Sequence, residues 1–280
     1  MTRQRSRLPL AVLALLALPW LWPGASTHAT VGGGSAPSAA TAAADAQPAV
    51  PAGIVIPEDR YHYHFGWQGI PAFTGTIQAT RHDDLRPWYH FRLEGGTRRW
   101  LDLIYRMQDT VDAYVDGVTY LPQLFYARLR APRDNTNMVV KFDHNRGIAD
   151  VRTEKNGKEK TKEIPFRRGN DPVSVLLMLQ SLREPGDESS FEVVNGKRNY
   201  QVALRVLGRE HVKVKGGSFD TLVIEPKLTR LDKPDYKPKF KEMTVWVTEG
   251  ETRIPVKLVS KVFIGKVTGE LVKVTPRDDD

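Results

Sequence analysis

The chain has 280 residues, a formal net charge of +8 and no cysteine. The lack of cysteine excludes disulfide bonds, thiol catalysis and thiolate metal sites, as well as a lipid-modified N-terminal cysteine. The net positive charge is compatible with anionic partners. Because the sequence contains no nucleic-acid-binding motif, we expect no nucleic-acid partner.

The chain begins with a basic and then apolar leader. Three arginines and no acidic residue precede an apolar run of fifteen residues, 8–22, and small residues follow it. This order is typical of a secretory signal peptide, and the run is shorter than the roughly 20 residues that span a membrane. We therefore predict a signal peptide over residues 1–29, cleaved after Ala29, and a periplasmic or secreted location. An uncleaved N-terminal anchor is the alternative.

The next segment, residues 30–53, is dominated by Ala, Gly, Ser, Pro and Thr and contains a single charged residue, Asp45. This composition predicts a flexible linker. A single β-rich domain follows over residues 54–274, which is long enough to bury a core of its own. Residues 275–280 form an acidic tail.

Most of the domain alternates between apolar and polar residues with a period of two, which is the pattern of a half-buried β-strand. We expect strands at 74–80, 87–95, 138–145, 148–154, 200–208, 211–217, 219–226, 243–250 and 255–265. Residue pairs that favour tight turns occur at Asp116-Gly117, Asn156-Gly157, Asn195-Gly196, Gly216-Gly217 and Glu249-Gly250. Hairpin spacing predicts antiparallel neighbours, and therefore a mainly β fold, either a curved antiparallel sheet or an open β-barrel.

One segment departs from this pattern. Asp171 is a candidate N-cap, Pro172 suits a first helical position, and Pro185-Gly186 ends the segment. Apolar residues between them cover almost every side, so a helix here has to be buried on several sides. We predict one buried apolar helix at about 171–184, across the open side of the curved sheet; packing on a flat sheet is the alternative. Four of its side chains are expected to line or gate a ligand cavity: Val173, Leu176, Leu177 and Leu179.

Aromatic residues offer further walls for such a cavity. Large amphipathic rings suit a ligand site as well as a sheet core, and both interpretations stay open here. Trp67 and Trp246 are the two rings that we expect to shape the cavity.

Two histidines, His62 and His64, lie two residues apart near the start of the domain. On a strand they would share one face and could reach one ion. Catalytic zinc requires three protein ligands, and this spacing supplies two. The sequence leaves open a metal site at this pair and an ordinary strand with amphipathic residues on one face.

Motifs of common catalytic sites are missing from the sequence. It contains no G-x-S-x-G turn, phosphate-binding loop, H-E-x-x-H pattern or dinucleotide fingerprint. A carboxylate pair for glycoside hydrolysis has no fixed sequence spacing to recognise. We therefore favour a non-enzymatic function and predict no cofactor.

Positive charge is concentrated in two stretches, 155–168 and 227–241. These are either solvated loops or surfaces that attract anionic lipid head groups or acidic glycans.

Several landmarks follow one another in a characteristic order: "YHYHFGWQGIPAFTG", "NDPVSVLLMLQSLR", "GREHVKVKGGSFDTLVIEP" and "MTVWVTEGETRIPVKLVSKVFIGKVTGEL". This succession resembles a family of exported bacterial proteins known as domain of unknown function 3108, over residues 57–274. One departure is "IPAFTG", where the glycine is expected directly after "IPA". The family brings no catalytic residues. The closing "VWVTEGETRIPVKL" is similar to lipoprotein-carrier folds, which implies a curved half-barrel that holds an acyl chain beneath short helices.

These features together predict an exported envelope protein that binds an apolar or amphiphilic, lipid-like molecule in a concave sheet. A peripheral contact with a membrane is a further expectation. The alternatives are a cell-envelope enzyme, acting on glycans or using a metal at His62 and His64, and a scaffold that binds an envelope partner through a sheet edge. The oligomeric state is left open.

Overall fold

The computed structural model describes residues 54–83, 85–232, 242–261 and 265–277. The predicted signal peptide and linker lie outside these residues, as does the second basic stretch beyond Asp232. Within the described ranges, no helix has both the length and the apolar character needed to cross a bilayer.

The chain forms fifteen β-strands within these ranges. The first eight are β1 (Arg60–Trp67), β2 (Ile70–Asp83), β3 (Pro87–Thr97), β4 (Gln108–Asp116), β5 (Pro122–Ala131), β6 (Asp134–Asp143), β7 (Ile148–Lys155) and β8 (Lys158–Pro165). The other seven are β9 (Gly169–Asn170), β10 (Glu188–Val194), β11 (Asn199–Val214), β12 (Gly217–Arg230), β13 (Glu242–Thr248), β14 (Pro255–Lys261) and β15 (Lys266–Thr275).

All of these strands belong to one sheet, in the order β8-β7-β6-β5-β4-β3-β2-β1-β15-β14-β13-β12-β11-β10-β9. Neighbouring strands pair antiparallel, except for a short parallel pair between β9 and β10. The first and last strands, β1 and β15, also pair antiparallel and so join the two halves of the chain. A sheet with this many strands has to curl. The prediction of a mainly β, curved antiparallel fold is confirmed.

The two edges of the sheet, β8 and β9, are consecutive in sequence and do not pair with each other. Side chains link β8 to strands at the β9 end of the sheet: Asn199 Nδ2, on β11, donates to the carbonyl oxygen of Pro165, on β8, at 3.1 Å and to Oε2 of Glu192, on β10, at 2.8 Å. β8 contains much of the first basic stretch and is exposed over most of its length. Charged side chains on an edge strand discourage pairing with other chains.

The predicted turns all lie between consecutive strands. Asn156 and Gly157, for example, join β7 to β8 with φ angles of 49° and 78°, the left-handed backbone that this residue pair accommodates in tight hairpins. The two predicted strands at 200–208 and 211–217 form one continuous strand, β11, with a register shift between Val206 and Gly208. A bulge here keeps both halves paired with β12. Six strands were not predicted as such: β4, β5, β8, β9, β10 and β15.

The core lies on one face of the curved sheet, because successive side chains of a strand point to opposite faces. In β1, the rings of Tyr61, Tyr63 and Phe65 are buried, while His62 and His64 face outward and are half-buried. The largest fully buried side chains come from strands in both halves and from the helical segment, and include Leu93, Phe125, Met138, Leu177, Phe191, Leu222 and Leu258.

The buried helix is present but shorter than the predicted 171–184. It consists of α2 (Val175–Met178) and one 3₁₀ turn (Leu179–Ser181), and the backbone is already extended at Leu182. The helix ends there because the following residues pair with β11, where Gly186 N donates to the carbonyl oxygen of Val206 at 2.9 Å. We call residues 171–182 the helical segment. The other short helix, α1 (Arg99–Asp102), follows β3.

Candidate ligand-binding site

The helical segment is fixed in place by the carboxylate of Asp171. Its Oδ1 accepts hydrogen bonds from the backbone N–H groups of Val173, at 2.6 Å, and Ser174, at 2.9 Å. Its Oδ2 accepts a third hydrogen bond from Ser174 Oγ, at 2.8 Å. Burial raises the pKa of Asp171 to about 6, although these hydrogen bonds favour the ionised form. Asp171 therefore caps the turn that leads into α2.

An apolar cleft lies between the helical segment and strands β10–β13. We call it cleft A, and its free volume is about 50 Å³. The helical segment contributes Val175, Leu176 and Leu179 to its lining. The strands contribute mainly aliphatic side chains, among them Val202, Leu204, Ile224, Leu228 and Val245.

A second cleft, cleft B, lies between the helical segment and strands β1, β2 and β3, and its free volume is about 60 Å³. Aromatic rings form one wall, and the residues that precede β1 form another. The loop between β13 and β14 closes it with Arg253 and its neighbours. The lining includes Ile56, Pro57, Tyr61, Tyr63, Phe91 and Leu177.

Leu176 lines both clefts, and its half-buried side chain lies between them. One water-sized group needs roughly 10–15 Å³ of such free volume, so each cleft accepts only about four. A longer apolar molecule would have to occupy both clefts. Occupation of both would displace the Leu176 side chain from its present position.

The structure brings together three of the six residues predicted to bind a ligand. Leu176 and Leu179 line cleft A, and Leu176 and Leu177 line cleft B. Val173 is fully buried at the start of the helical segment and is absent from the lining of both clefts.

The two predicted tryptophans lie elsewhere. Trp67 packs against the core at the end of β1. Trp246 lies on the face of β13 opposite to the buried Met243 and Val245. There its Nε1 donates to Glu210 Oε2 at 2.8 Å, and the Lys257 ammonium lies 4.8 Å from the ring centroid. Neither ring belongs to the lining of cleft A or cleft B.

The histidine pair lies on the outward face of β1, away from both clefts. His62 Nε2 is 3.0 Å from Thr275 Oγ1, and burial, followed by the charges of Lys273 and Arg60, lowers the pKa of His62. Burial also lowers the pKa of His64. In the described part of the chain, no three His, Cys, Asp or Glu side chains are grouped closely enough to hold a metal ion.

Sequence reasoning missed the charged residue of cleft B. Arg253 is buried, and it is the only charged residue among the described residues that line either cleft. In the sequence it follows "TEGET", a turn-like stretch in which an arginine would ordinarily face solvent. Its burial depends on contacts with the helical segment, more than seventy residues away in sequence, and no local pattern reports them.

The fold is similar to that of a β-barrel-like protein of domain of unknown function DUF1849 from Brucella abortus. The TM-score is 0.55 and the identity 13%, over 80% of this chain and 100% of that chain. At this identity the likeness shows a shared fold, which does not fix a function.

Two other solved structures are more distant and support no inference. One is a candidate exported protein with a YmcC-like fold from Bacteroides fragilis, with a TM-score of 0.37 and 6% identity over 79% of this chain and 97% of that chain. The other is a candidate lipoprotein from Parabacteroides distasonis, with a TM-score of 0.32 and 9% identity over 79% of this chain and 97% of that chain.

No match was found among curated protein sequences. A family model described as "Protein of unknown function (DUF3108)" matches residues 60–272. The match runs from the first residue of β1 into β15 and includes the residues of the helical segment. As the order of its sequence motifs predicts, the chain therefore belongs to the DUF3108 family.

Proposed function

We propose that the protein binds an apolar or amphiphilic, lipid-like molecule in the concave interior of its sheet, without catalysing a reaction. The observation that carries this proposal is the pair of apolar clefts that adjoin at Leu176. Ligand sites are typically concave and mainly apolar, with a few polar groups that fix the orientation of the ligand. Protein interiors rarely leave voids larger than one water, so adjoining clefts of this size favour a site that receives a ligand.

We place this function outside the cytoplasm, in the periplasm or beyond. Support comes from the sequence of residues 1–29, where a basic start, an apolar run and small residues follow one another as in a secretory signal. N-terminal sequencing of the protein isolated from its own cell envelope tests the location: a mature chain that starts near Thr30 is expected. Recovery of the full-length chain from the cytoplasm alone would contradict it.

Native mass spectrometry of protein purified from its own envelope tests the binding itself. We expect a co-purifying lipid-like mass, and uptake of a neutral apolar dye by the delipidated protein. Leu176→Asp should abolish uptake, because it places a charge in the wall of both clefts. Leu207→Asp is the matched control, because Leu207 is an exposed residue of β11 and its variant should bind as the wild type does. Failure of the wild-type protein to bind any apolar molecule would overturn the proposal.

An envelope enzyme and a scaffold that binds through a sheet edge are the rival functions. No specific feature of the described residues favours either over ligand binding.

A further inference from the structure

Arg253 occupies an unusual position in the loop between β13 and β14. It is 7% exposed and lines cleft B, and its φ angle of 47° lies in the left-handed region. A residue other than glycine in this region costs about 1–2 kcal/mol, and such strained positions cluster at functional sites. The backbone conformation turns this arginine inward, toward the cleft and the helical segment.

The guanidinium of Arg253 binds only backbone carbonyl groups. Nε donates to the oxygen of Leu182 at 2.9 Å. Nη1 donates to the oxygen of Gly250 and, at 3.4 Å, to that of Thr248. Within the described part of the chain Nη2 has no hydrogen-bond acceptor. Because a guanidinium presents five N–H donors in a rigid fork, the two on Nη2 can bind a further group.

Arg253 forms no ion pair with a carboxylate among the described residues. Glu184 and Glu249 are acidic groups whose charges act on Arg253, and both already pair with Arg209, at 2.5 Å and 3.0 Å. Arg183 adds a further positive charge to this neighbourhood. Burial, and then the charge of Arg183, lowers the pKa of Arg253, but a guanidinium stays protonated in proteins. The positive charge of Arg253 therefore lies in the wall of an apolar cleft, and among the described residues no carboxylate pairs with it directly.

Two other polar side chains of cleft B already have hydrogen-bond partners within the protein. Gln180 Nε2 donates to the carbonyl oxygen of Val55 at 2.8 Å, and Tyr63 Oη donates to that of Pro255 at 3.0 Å. Burial, and then the negative charge of Asp59, raises the pKa of Tyr61, so its phenol stays neutral. Arg253 is thus the group best able to choose between ligands by their charge.

We propose that Arg253 binds the anionic head group, a carboxylate or a phosphate, of a single-chain amphiphile whose acyl chain enters cleft B and continues past Leu176 into cleft A. This inference rests on the proposed lipid-like ligand and adds the class of head group. Arginine binds both anions through paired N–H donors, and the apolar wall beside it excludes water that would weaken the attraction.

Binding of paired probes to the delipidated protein tests this inference. The probes are dodecanoate against its methyl ester, and a dodecanoyl lysophosphatidic acid against monododecanoyl glycerol, at pH 8. A hydrogen bond to a charged group contributes about 1.5–3 kcal/mol, so the wild-type protein should bind an anion at least about tenfold more tightly than its neutral partner. The pair with the larger ratio distinguishes a carboxylate from a phosphate ligand.

Arg253→Gln should reduce the ratio of the affinities for the charged and the neutral probe to about one. Arg253→Lys should keep part of the preference, because it keeps the charge. Arg205→Gln is the matched control, because Arg205 on β11 forms an exposed ion pair with Glu188 on β10, and this variant should keep the full preference for the anionic probes. A persistent preference in Arg253→Gln, or equal binding of charged and neutral probes by the wild type, would overturn the inference. The wild-type comparison remains decisive even if Arg253→Gln fails to fold. Absence of all binding would instead overturn the proposed function.

A different surface carries a second inference. Large apolar side chains protrude around α1, which follows β3 at the end away from the cleft B residues of that strand. Leu103 is 91% exposed, Ile104 78% and Trp100 48%, and Ile70 lies beside them because Trp100 Nε1 donates to the carbonyl oxygen of the adjacent Pro71. An exposed apolar cluster of this kind marks a site of contact with a protein or a membrane.

The charges around this cluster favour an anionic membrane. Arg99 and Arg106 flank the apolar residues in sequence and are exposed. Neither forms an ion pair with an acidic side chain in the described ranges. Apolar side chains that enter a bilayer interface beside free basic groups are the standard combination for peripheral binding to anionic lipids. We infer that Trp100, Leu103 and Ile104 dock the protein on an anionic membrane surface.

Sedimentation with vesicles tests this docking. Vesicles of phosphatidylglycerol and phosphatidylethanolamine should retain the protein, and vesicles of phosphatidylcholine should retain much less. Leu103→Asp should reduce binding to the vesicles by about tenfold. Leu85→Asp is the control and should not change binding: Leu85 is as exposed as Leu103, but it lies on the loop between β2 and β3, at the opposite end of β3 from α1. Arg99→Gln with Arg106→Gln should remove the preference for anionic lipid. No binding to the anionic vesicles, or equal binding by the two aspartate variants, would refute the inference.

Discussion

The ring of Phe65 on β1 lies directly over Gly269 on β15, which is its register partner. A Cβ atom at residue 269 would lie 2.6 Å from Cδ1 of that ring and 3.0 Å from Cδ2 of Leu258. The Phe65 ring therefore fits at this point only because residue 269 has no side chain. This contact lies on the pairing that joins the two halves of the sheet.

Gly269→Ala should lower the free energy of unfolding by about 1–3 kcal/mol, since the added methyl overpacks the core. Urea-induced unfolding measures this loss. Gly208→Ala is the matched control, because a Cβ at Gly208 on β11 meets nothing within 4 Å; its effect should stay within about 0.5 kcal/mol. Equal stability of the two variants would refute the close contact.

A second prediction concerns the pH dependence of stability. Burial raises the pKa of Asp109 to about 7, and the hydrogen bond that Oδ1 accepts from Arg130 N, at 3.0 Å, opposes this only in part. The folded pKa therefore exceeds the unfolded value of about 3.9. The stability that the protonated group contributes is complete below about pH 4 and is lost as the pH rises through about 7.

Asp109→Asn should remove this loss while keeping an acceptor for Arg130 N. Relative to the wild type, the variant should gain stability as the pH rises from about 4 to about 8, as measured by urea unfolding at several pH values. The raised pKa of Asp171 acts in the same direction but is common to both proteins. A stability difference that does not change with pH would contradict the prediction.

A third prediction concerns the cap of the helical segment. Asp171→Ala leaves two backbone N–H groups and the Ser174 hydroxyl without their acceptor in the interior. We expect a loss of about 2–4 kcal/mol in the free energy of unfolding, with weaker uptake of apolar ligands. Asp187→Ala removes two similar backbone hydrogen bonds, to Arg183 N and Glu184 N, from a turn that is only partly buried. Water replaces them there, so its cost should stay below about 1 kcal/mol. The reverse order of the two losses would count against the cap.

A fourth prediction concerns the length of the ligand chain. Leu176→Ala should join clefts A and B and tighten the binding of long fatty acids by about tenfold relative to short ones. Leu176→Phe should do the opposite, since the larger ring blocks the passage between the clefts. Competition with fatty acids of increasing length measures both effects, with Leu207→Ala as the surface control. Identical length profiles for the Leu176 variants and the wild type would show that Leu176 does not separate the clefts.

The β architecture could be predicted from the sequence because alternation and turn pairs are local signals. Asn156-Gly157 and Gly216-Gly217 lie at the turns that follow β7 and β11, as their backbone preferences require. β4 escaped prediction because its aspartates interrupt the alternation on both faces: Asp109 lies on the inward face with Val111, and Asp112 and Asp116 are buried on the opposite face. β8 escaped because nearly all of its side chains are exposed and no alternation marks it.

The candidate site could be predicted only in part. The apolar composition of the helical segment predicts that it is buried, and Leu176, Leu177 and Leu179 were predicted as lining residues on that basis. The wall formed by residues 54–57 and the inward turn of Arg253 depend on contacts across the sheet, such as Gln180 with Val55 and Arg253 with Leu182. Such contacts between distant residues leave no trace in a local pattern.

β1 and β15 come from opposite ends of the domain and lie side by side, with Arg60 opposite Thr275 and an ion pair between Glu58 and Arg277. A chain that emerges from the ribosome or a translocation pore with its N-terminus first therefore holds β1 with one edge unpaired until its final strand arrives. That closure spans about 200 residues, and pairing over such separations is slow. An open edge also invites pairing with other chains. The last strand to emerge is thus the one that completes the sheet, and a nascent chain interrupted before β15 is the form of this protein most exposed to aggregation.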